Sequence, residues 1–144
     1  MRTTFSGLTG NTTASHIHAP TAVPFTGNAG VATQTPTFVG FPLGVTSGTY
    51  DNTFDMTQAS SYNPAYITAN GGTPATAELA LSTAFTNGTS YLNIHTSTFG
   101  GGEIRGFLTV PEPGSLALTG LASLAAVNFV RRRRRAAGAT TLSG

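Results

Sequence analysis

An uncharged stretch of 17 residues, Gly114–Val130, is followed directly by five consecutive arginines, Arg131, Arg132, Arg133, Arg134 and Arg135. As a helix the stretch would be about 25 Å long, which is at the short end of what crosses the apolar core of a bilayer. The arginines stay on the cytoplasmic side because moving them across that core is costly. We therefore predict a C-terminal transmembrane helix over Gly114–Val130 that serves as an inner-membrane anchor, with its C-terminus cytoplasmic and the preceding residues outside. The alternative is a soluble helix with a solvated basic tail, but the stretch has no polar stripe.

The preceding residues, 1–110, have the pattern of an all-β domain. They are rich in Thr, Gly, Ser and Asn, and their apolar residues come in short bursts between turn formers. We expect an antiparallel, Greek-key-like β-sandwich with one or two short helices. One helix is expected to begin at Pro74 after a Thr73 cap, and another short turn of helix within 58–67 is expected to be broken by Pro64. The strand candidates are Thr33–Val39, Val45–Phe54, Tyr91–Thr96 and Glu103–Val110.

Charge and motifs exclude several classes of function. Residues 1–110 contain two arginines, no lysine and four acids, so they lack the basic surface that nucleic acids require. The chain has no cysteine, which excludes disulfides, thiolate metal sites and thiol catalysis. No nucleophile elbow, zinc-protease pair or phosphate loop occurs. We therefore expect a protein that is not an enzyme.

Three histidines are the candidate chemical groups. His16 and His18 are two residues apart, so on a strand both side chains point the same way, and His95 lies on a second strand candidate. A site of three imidazole nitrogens without thiolate suits copper(II) or zinc(II). We therefore predict one of these two ions as the cofactor, bound by the three histidines. Two alternatives to metal binding stay open. The histidines could bond to Thr, Asn or backbone groups and hold the sandwich edge together, or they could have a catalytic role. Separately, Glu103 and Arg105 alternate onto one face and could pair with each other or with His95.

The C-terminal part resembles the PEP-CTERM sorting signal. Its Pro111, Glu112 and Pro113 precede the apolar span, and the arginine cluster follows it, in the order and spacing of such signals. The resemblance implies recognition and cleavage by an exosortase-type enzyme and delivery to the cell envelope or the extracellular matrix. The sorting signal would cover 111–135, and we expect the remaining 136–144 to be a disordered tail.

Residues 1–110 resemble the CHRD domain, which occurs in chordin and in many bacterial proteins. The resemblance rests on three ordered motifs, HIH at 16–18, YLNIHT at 91–96 and GEIRG at 102–106. Members of that family usually begin earlier, with one or two more strands. We therefore expect an N-terminally truncated start without a signal peptide, and exposed pairing groups near His16.

Together these features predict an exported, envelope-associated protein with a non-catalytic structural or matrix role, with extracellular polysaccharide or matrix as a partner. The alternative is a copper- or zinc-binding module of the envelope, redox-active if the ion is copper, that uses His16, His18 and His95.

Overall fold

The computed structural model describes residues 1–110 and contains five β-strands. The predicted span at 114–130, the motif at 111–113, the arginines at 131–135 and the tail at 136–144 lie outside the described residues. Within 1–110 neither helix has the length and apolar character needed to cross a membrane. The strands are β1 (Arg2–Phe5), β2 (Thr12–His18), β3 (Gly48–Asp51), β4 (Tyr91–Thr96) and β5 (Ile104–Phe107).

The strands form two antiparallel sheets. One sheet pairs β1 with β3, and the other has the order β2-β4-β5. In the three-stranded sheet, Ile17 of β2 and Ile94 of β4 point to one face and belong to the buried apolar core. Because side chains alternate along a strand, the histidines of β2 and β4 lie on the opposite face. The all-β class with antiparallel sheets is therefore confirmed, whereas the Greek-key connectivity stays a prediction.

Two short helices join β3 to β4, as expected. The longer, α2 (Pro74–Thr86), begins after Thr73, whose hydroxyl accepts a hydrogen bond from the Thr76 amide. The shorter, α1 (Pro64–Ala69), follows a short 3-10 turn at Ala59–Ser61. The prediction that Pro64 breaks a helix is wrong, because Pro64 occupies the first helical turn, where its missing N–H costs nothing.

The predicted strand at Thr33–Val39 is also wrong. This segment runs beside β2 without a continuous ladder, because hydroxyl groups take the place of backbone carbonyls: Thr33 Oγ1 accepts from the Ile17 amide, and Thr37 Oγ1 accepts from the Ser15 amide, each at 2.9 Å. The amide of Phe38 also donates to the Ser15 carbonyl at 3.0 Å. The segment thus covers this edge of β2, and the expectation of exposed pairing groups near His16 is wrong as well.

Two other predicted strands are shorter than expected. The candidate at 45–54 contributes only Gly48–Asp51, and the candidate at 103–110 contributes only Ile104–Phe107. Strand ends depend on pairing with a neighbour, which alternation along a single segment does not reveal.

Candidate metal centre

Strand register brings the three predicted histidines together. In the pairing of β2 with β4, His16 lies opposite Asn93, His18 lies opposite Tyr91 and Ala14 lies opposite His95. All these side chains share the face of the sheet that points away from the core. The small Ala14 side chain leaves the His95 ring room to approach His16, and their ring centroids are 4.6 Å apart.

The histidine triad (His16, His18 and His95) has the spacing of a nearly formed metal site. One ring nitrogen from each residue lies within 4.8 Å of the others, and His16 Nδ1 is 3.1 Å from His18 Nε2. Imidazole nitrogens bind zinc at about 2.0–2.1 Å, so two of them on one ion are at most about 4.2 Å apart. Small ring rotations that bring the widest pair together would therefore complete the site.

Backbone carbonyls fix the protonation of two of the rings. His18 Nδ1 donates to the Ala29 carbonyl and His95 Nδ1 donates to the Gly100 carbonyl, both at 2.8 Å. A neutral imidazole carries one N–H, so Nε2 of each ring presents its lone pair. His16 Nδ1 then donates to His18 Nε2. Metal-binding histidines in proteins are oriented in this way, with the second nitrogen bonded to a carbonyl or carboxylate.

Burial keeps the His16 and His18 rings uncharged. His16 is 7 % exposed, and His18 is 9 % exposed and stacked on the Tyr91 ring. Burial, helped by the neighbouring charges of His95 and His18, lowers the pKa of His16 to about 4. Burial also lowers the pKa of His18, although its bond to Ala29 opposes the shift. Both rings are therefore neutral at pH 7 and able to bind a metal without first losing a proton.

These shifts predict that the metal-free chain loses stability in acid. In the unfolded chain His16 takes up its proton near pH 6.5, but in the folded chain only near pH 4. Between these values the unfolded chain binds more protons, so the free energy of unfolding falls as the pH falls. The contribution of His16 to the free energy of unfolding is fully present above pH 6.5 and is lost by about pH 4. We expect this loss to be about 3 kcal/mol.

Urea unfolding of the full chain with EDTA, from pH 7.5 to pH 4, measures this effect. Asp55 and Glu103 have lowered pKa values and also titrate in acid, so the comparison is with His16→Gln, which keeps both carboxyls. The wild type should lose more stability than the variant over this range. Equal losses in the two proteins would show that His16 is not held neutral by the fold.

The prediction that Glu103 and Arg105 pair with each other or with His95 is wrong. The Glu103 carboxylate accepts hydrogen bonds from the Thr9 amide, the Thr9 hydroxyl, the Gly10 amide and the Thr96 hydroxyl. Although desolvation opposes it, these bonds lower the pKa of Glu103. Arg105 Nη1 instead donates to the Gly27 carbonyl and to Asn28 Oδ1, both at 2.9 Å. Both charged groups thus tie loops to the sheet.

Asn93 is a residue of the site that motif reasoning missed. It is 4 % exposed, and its Nδ2 donates to the Gly101 carbonyl at 3.1 Å and to His95 Nε2 at 3.3 Å. The alternation of residues 91–96 already places Asn93 on the same side as His95, which is the signal that could have found it. Gly102 packs against its amide so closely that a Cβ there would overlap it.

Chemically, the triad offers three imidazole nitrogens in a partly buried place. It can hold a divalent ion that favours imidazole, namely copper(II) or zinc(II). The Nδ1 hydrogen bonds of His18 and His95 also have a structural effect, because they tie the Ala29 and Gly100 loops to the sheet even without a metal.

Comparison with protein-family models assigns all of the first 135 residues. Residues 1–108 match the CHRD domain, and residues 109–135 match the PEP-CTERM protein-sorting motif. Neither the curated proteins nor the solved structures gave a match to the chain. Both resemblances drawn from the sequence motifs are thus confirmed: the chain belongs to the CHRD domain family and carries a PEP-CTERM sorting motif after that domain.

Proposed function

We propose that this exported, exosortase-sorted protein is a non-catalytic metal-binding module, whose CHRD domain holds copper(II) or zinc(II) through His16, His18 and His95. The observation that carries the proposal is the pair of Nδ1 hydrogen bonds to Ala29 and Gly100, which keeps Nε2 of His18 and His95 unprotonated. A metal would take these lone pairs in place of the His16 and Asn93 donors that they accept from in the metal-free chain. Copper(II) and zinc(II) titrations of the wild type, His16→Ala and His95→Ala test it. A tight one-to-one complex that both substitutions abolish supports the proposal, and equal binding by all three proteins contradicts it.

A structural role in the envelope or matrix is the second candidate. The same hydrogen bonds favour it, because they let the histidines anchor two loops to the sheet without any ion. In that case the module would contribute a folded unit to the matrix, with extracellular polysaccharide or another matrix component as its partner. The two candidates differ in one measurable property, which is metal affinity.

The sorting motif supports a route through the membrane. A chain with a PEP-CTERM motif is recognised by an exosortase-type enzyme and is directed to the cell envelope. Before cleavage, an apolar span at 114–130 would anchor the chain in the inner membrane, with Arg131–Arg135 on the cytoplasmic side. Cleavage would then release the CHRD domain from this anchor.

Mass spectrometry of the protein isolated from its host tests the route. We expect a mature C-terminus near Pro111, because the motif marks the cleavage region, and we expect Glu112→Ala to leave the chain uncleaved. The matched control is Glu78→Ala, which alters an acid of the CHRD domain outside the motif. A wild-type protein that retains Arg131–Arg135 would show that the segment is a plain anchor.

A further inference from the structure

We infer that the metal held by the histidine triad takes a small anion as its fourth ligand, and that Asn93 and Arg105 recognise this anion. This inference rests on the proposed function, because it concerns the part of the coordination shell that the histidines leave open. The ligand class is a monovalent or divalent anion small enough to bind the metal directly, such as a carboxylate or an inorganic oxyanion.

The protein ligands at the triad are incomplete for either metal. Only His16, His18 and His95 cluster there, and within residues 1–110 no further histidine, cysteine or carboxylate joins the group. Zinc usually has four ligands, and a site with three protein ligands keeps the fourth position for water or an exogenous molecule. The nearby carboxylate of Glu103 is held elsewhere by Thr9, Gly10 and Thr96.

Metal binding would leave the buried Asn93 amide without one of its acceptors. In the metal-free chain, Asn93 Nδ2 donates to the lone pair of His95 Nε2 at 3.3 Å, and that lone pair is the one the metal would use. Its other bond, to the Gly101 carbonyl, holds the amide in place beside the metal position. A buried donor that loses its partner is energetically unfavourable. An anion on the metal would restore an acceptor, whereas a ligand without a lone pair to share would not.

Arg105 supplies a positive charge in the same cross-strand row as the Asn93 amide. His16, Asn93 and Arg105 lie opposite one another on β2, β4 and β5 and form one cross-strand row. The guanidinium lies over the Tyr91 ring at 5.2 Å, and its Nη1 is bonded to the 27–28 loop. Its Nη2 and Nε groups have no protein acceptor within residues 1–110. The guanidinium is therefore fixed in position while part of its hydrogen-bonding capacity is unused.

A polar cavity of about 320 Å³ connects these two groups to solvent. Asn93 and Arg105 both line it, together with Asn28 and Tyr91. Glu103 lines it as well, but four hydrogen bonds to its carboxylate satisfy that charge from the Thr9 side. The only other arginine of residues 1–110, Arg2, is on β1 in the other sheet. The cavity thus places one fixed guanidinium beside Asn93, the residue whose amide also contacts His95 Nε2.

Azide binding to the copper-loaded full chain tests this inference. Azide on copper(II) gives a charge-transfer absorption band, which can be titrated in the wild type, Arg105→Gln and Arg2→Gln. We expect a saturable band in the wild type and an azide affinity about fivefold lower in Arg105→Gln, the size of an exposed charge contact. Arg2→Gln, which removes the same charge from the other sheet, should match the wild type. Copper affinity should be unchanged in Arg2→Gln, and azide is titrated into each variant only after it is saturated with copper.

Salt provides a second measurement, since it screens an exposed guanidinium. Azide affinity of the wild type should fall more steeply with sodium perchlorate than that of Arg105→Gln. Copper binding without an azide band, or equal azide affinities in the wild type and Arg105→Gln, overturns the inference and leaves the proposed function standing. A chain that binds neither copper(II) nor zinc(II) overturns the proposed function and this inference together.

Discussion

Excess copper(II) is expected to raise the melting temperature of the untagged full chain by about 10 °C or more. A ligand at 100 times its dissociation constant stabilises the folded state by about 2.7 kcal/mol, and 1 kcal/mol shifts the melting temperature of a domain of this size by about 4–8 °C. The ion should bind only the folded state well, because His16 and His95 are 79 positions apart in sequence and meet only through the pairing of β2 with β4.

The variants His16→Ala and His95→Ala should lose the copper-induced increase, because each removes one of three ligands. Thr13→Ala is the matched control, since Thr13 is an exposed β2 residue outside the triad, and it should keep the full increase. Circular dichroism melts with EDTA and with copper measure the effect. A similar increase in wild type and triad variants would place the copper elsewhere and would contradict the site.

Gly102→Ala is expected to destabilise the chain by about 2–4 kcal/mol. Gly102 has φ +118°, which side chains rarely adopt, and an added Cβ would overlap the Asn93 amide. Backbone strain of this kind costs about 1–3 kcal/mol, and overpacking costs about as much again.

Gly101→Ala is the matched control for this prediction. Gly101 is the adjacent residue of the same loop, its φ is outside the restricted region, and a Cβ there would meet nothing within 4 Å. Urea unfolding of the two variants should therefore separate them by most of the predicted free energy. Equal stabilities would mean that the loop does not pack on Asn93 as the structure describes.

The sequence predicted which three histidines form the triad but not that their ring nitrogens lie close together. The H-x-H spacing placed His16 and His18 on one side of a strand, and alternation placed His95 on the polar side of another. Whether those two sides meet depends on the register of β2 against β4, which no local pattern contains. The same limit explains the mistaken partners of Glu103 and Arg105, because all of their actual partners except Thr96 lie in the 9–10 and 27–28 loops, more than 70 residues away in sequence.

Local signals were reliable where the physical cause is itself local. Thr73 and Pro74 start α2 because a hydroxyl cap and a proline suit the first helical turn. Thr33–Val39 was mistaken for a strand because its composition is β-like, while its threonine hydroxyls satisfy β2 in place of a ladder. Pro64 was mistaken for a break because a proline at a helix start and a proline inside a helix look alike without the neighbouring fold.

The most direct test of the metal centre is anomalous diffraction at the copper absorption edge from crystals of the protein grown with copper(II). We expect one strong peak per chain at about 2.1 Å from a ring nitrogen of each of His16, His18 and His95. Copper peaks found only at other positions, with His16 bonded to His18, His18 to Ala29, and His95 to Gly100 and Asn93 as in the metal-free chain, would rule this metal centre out.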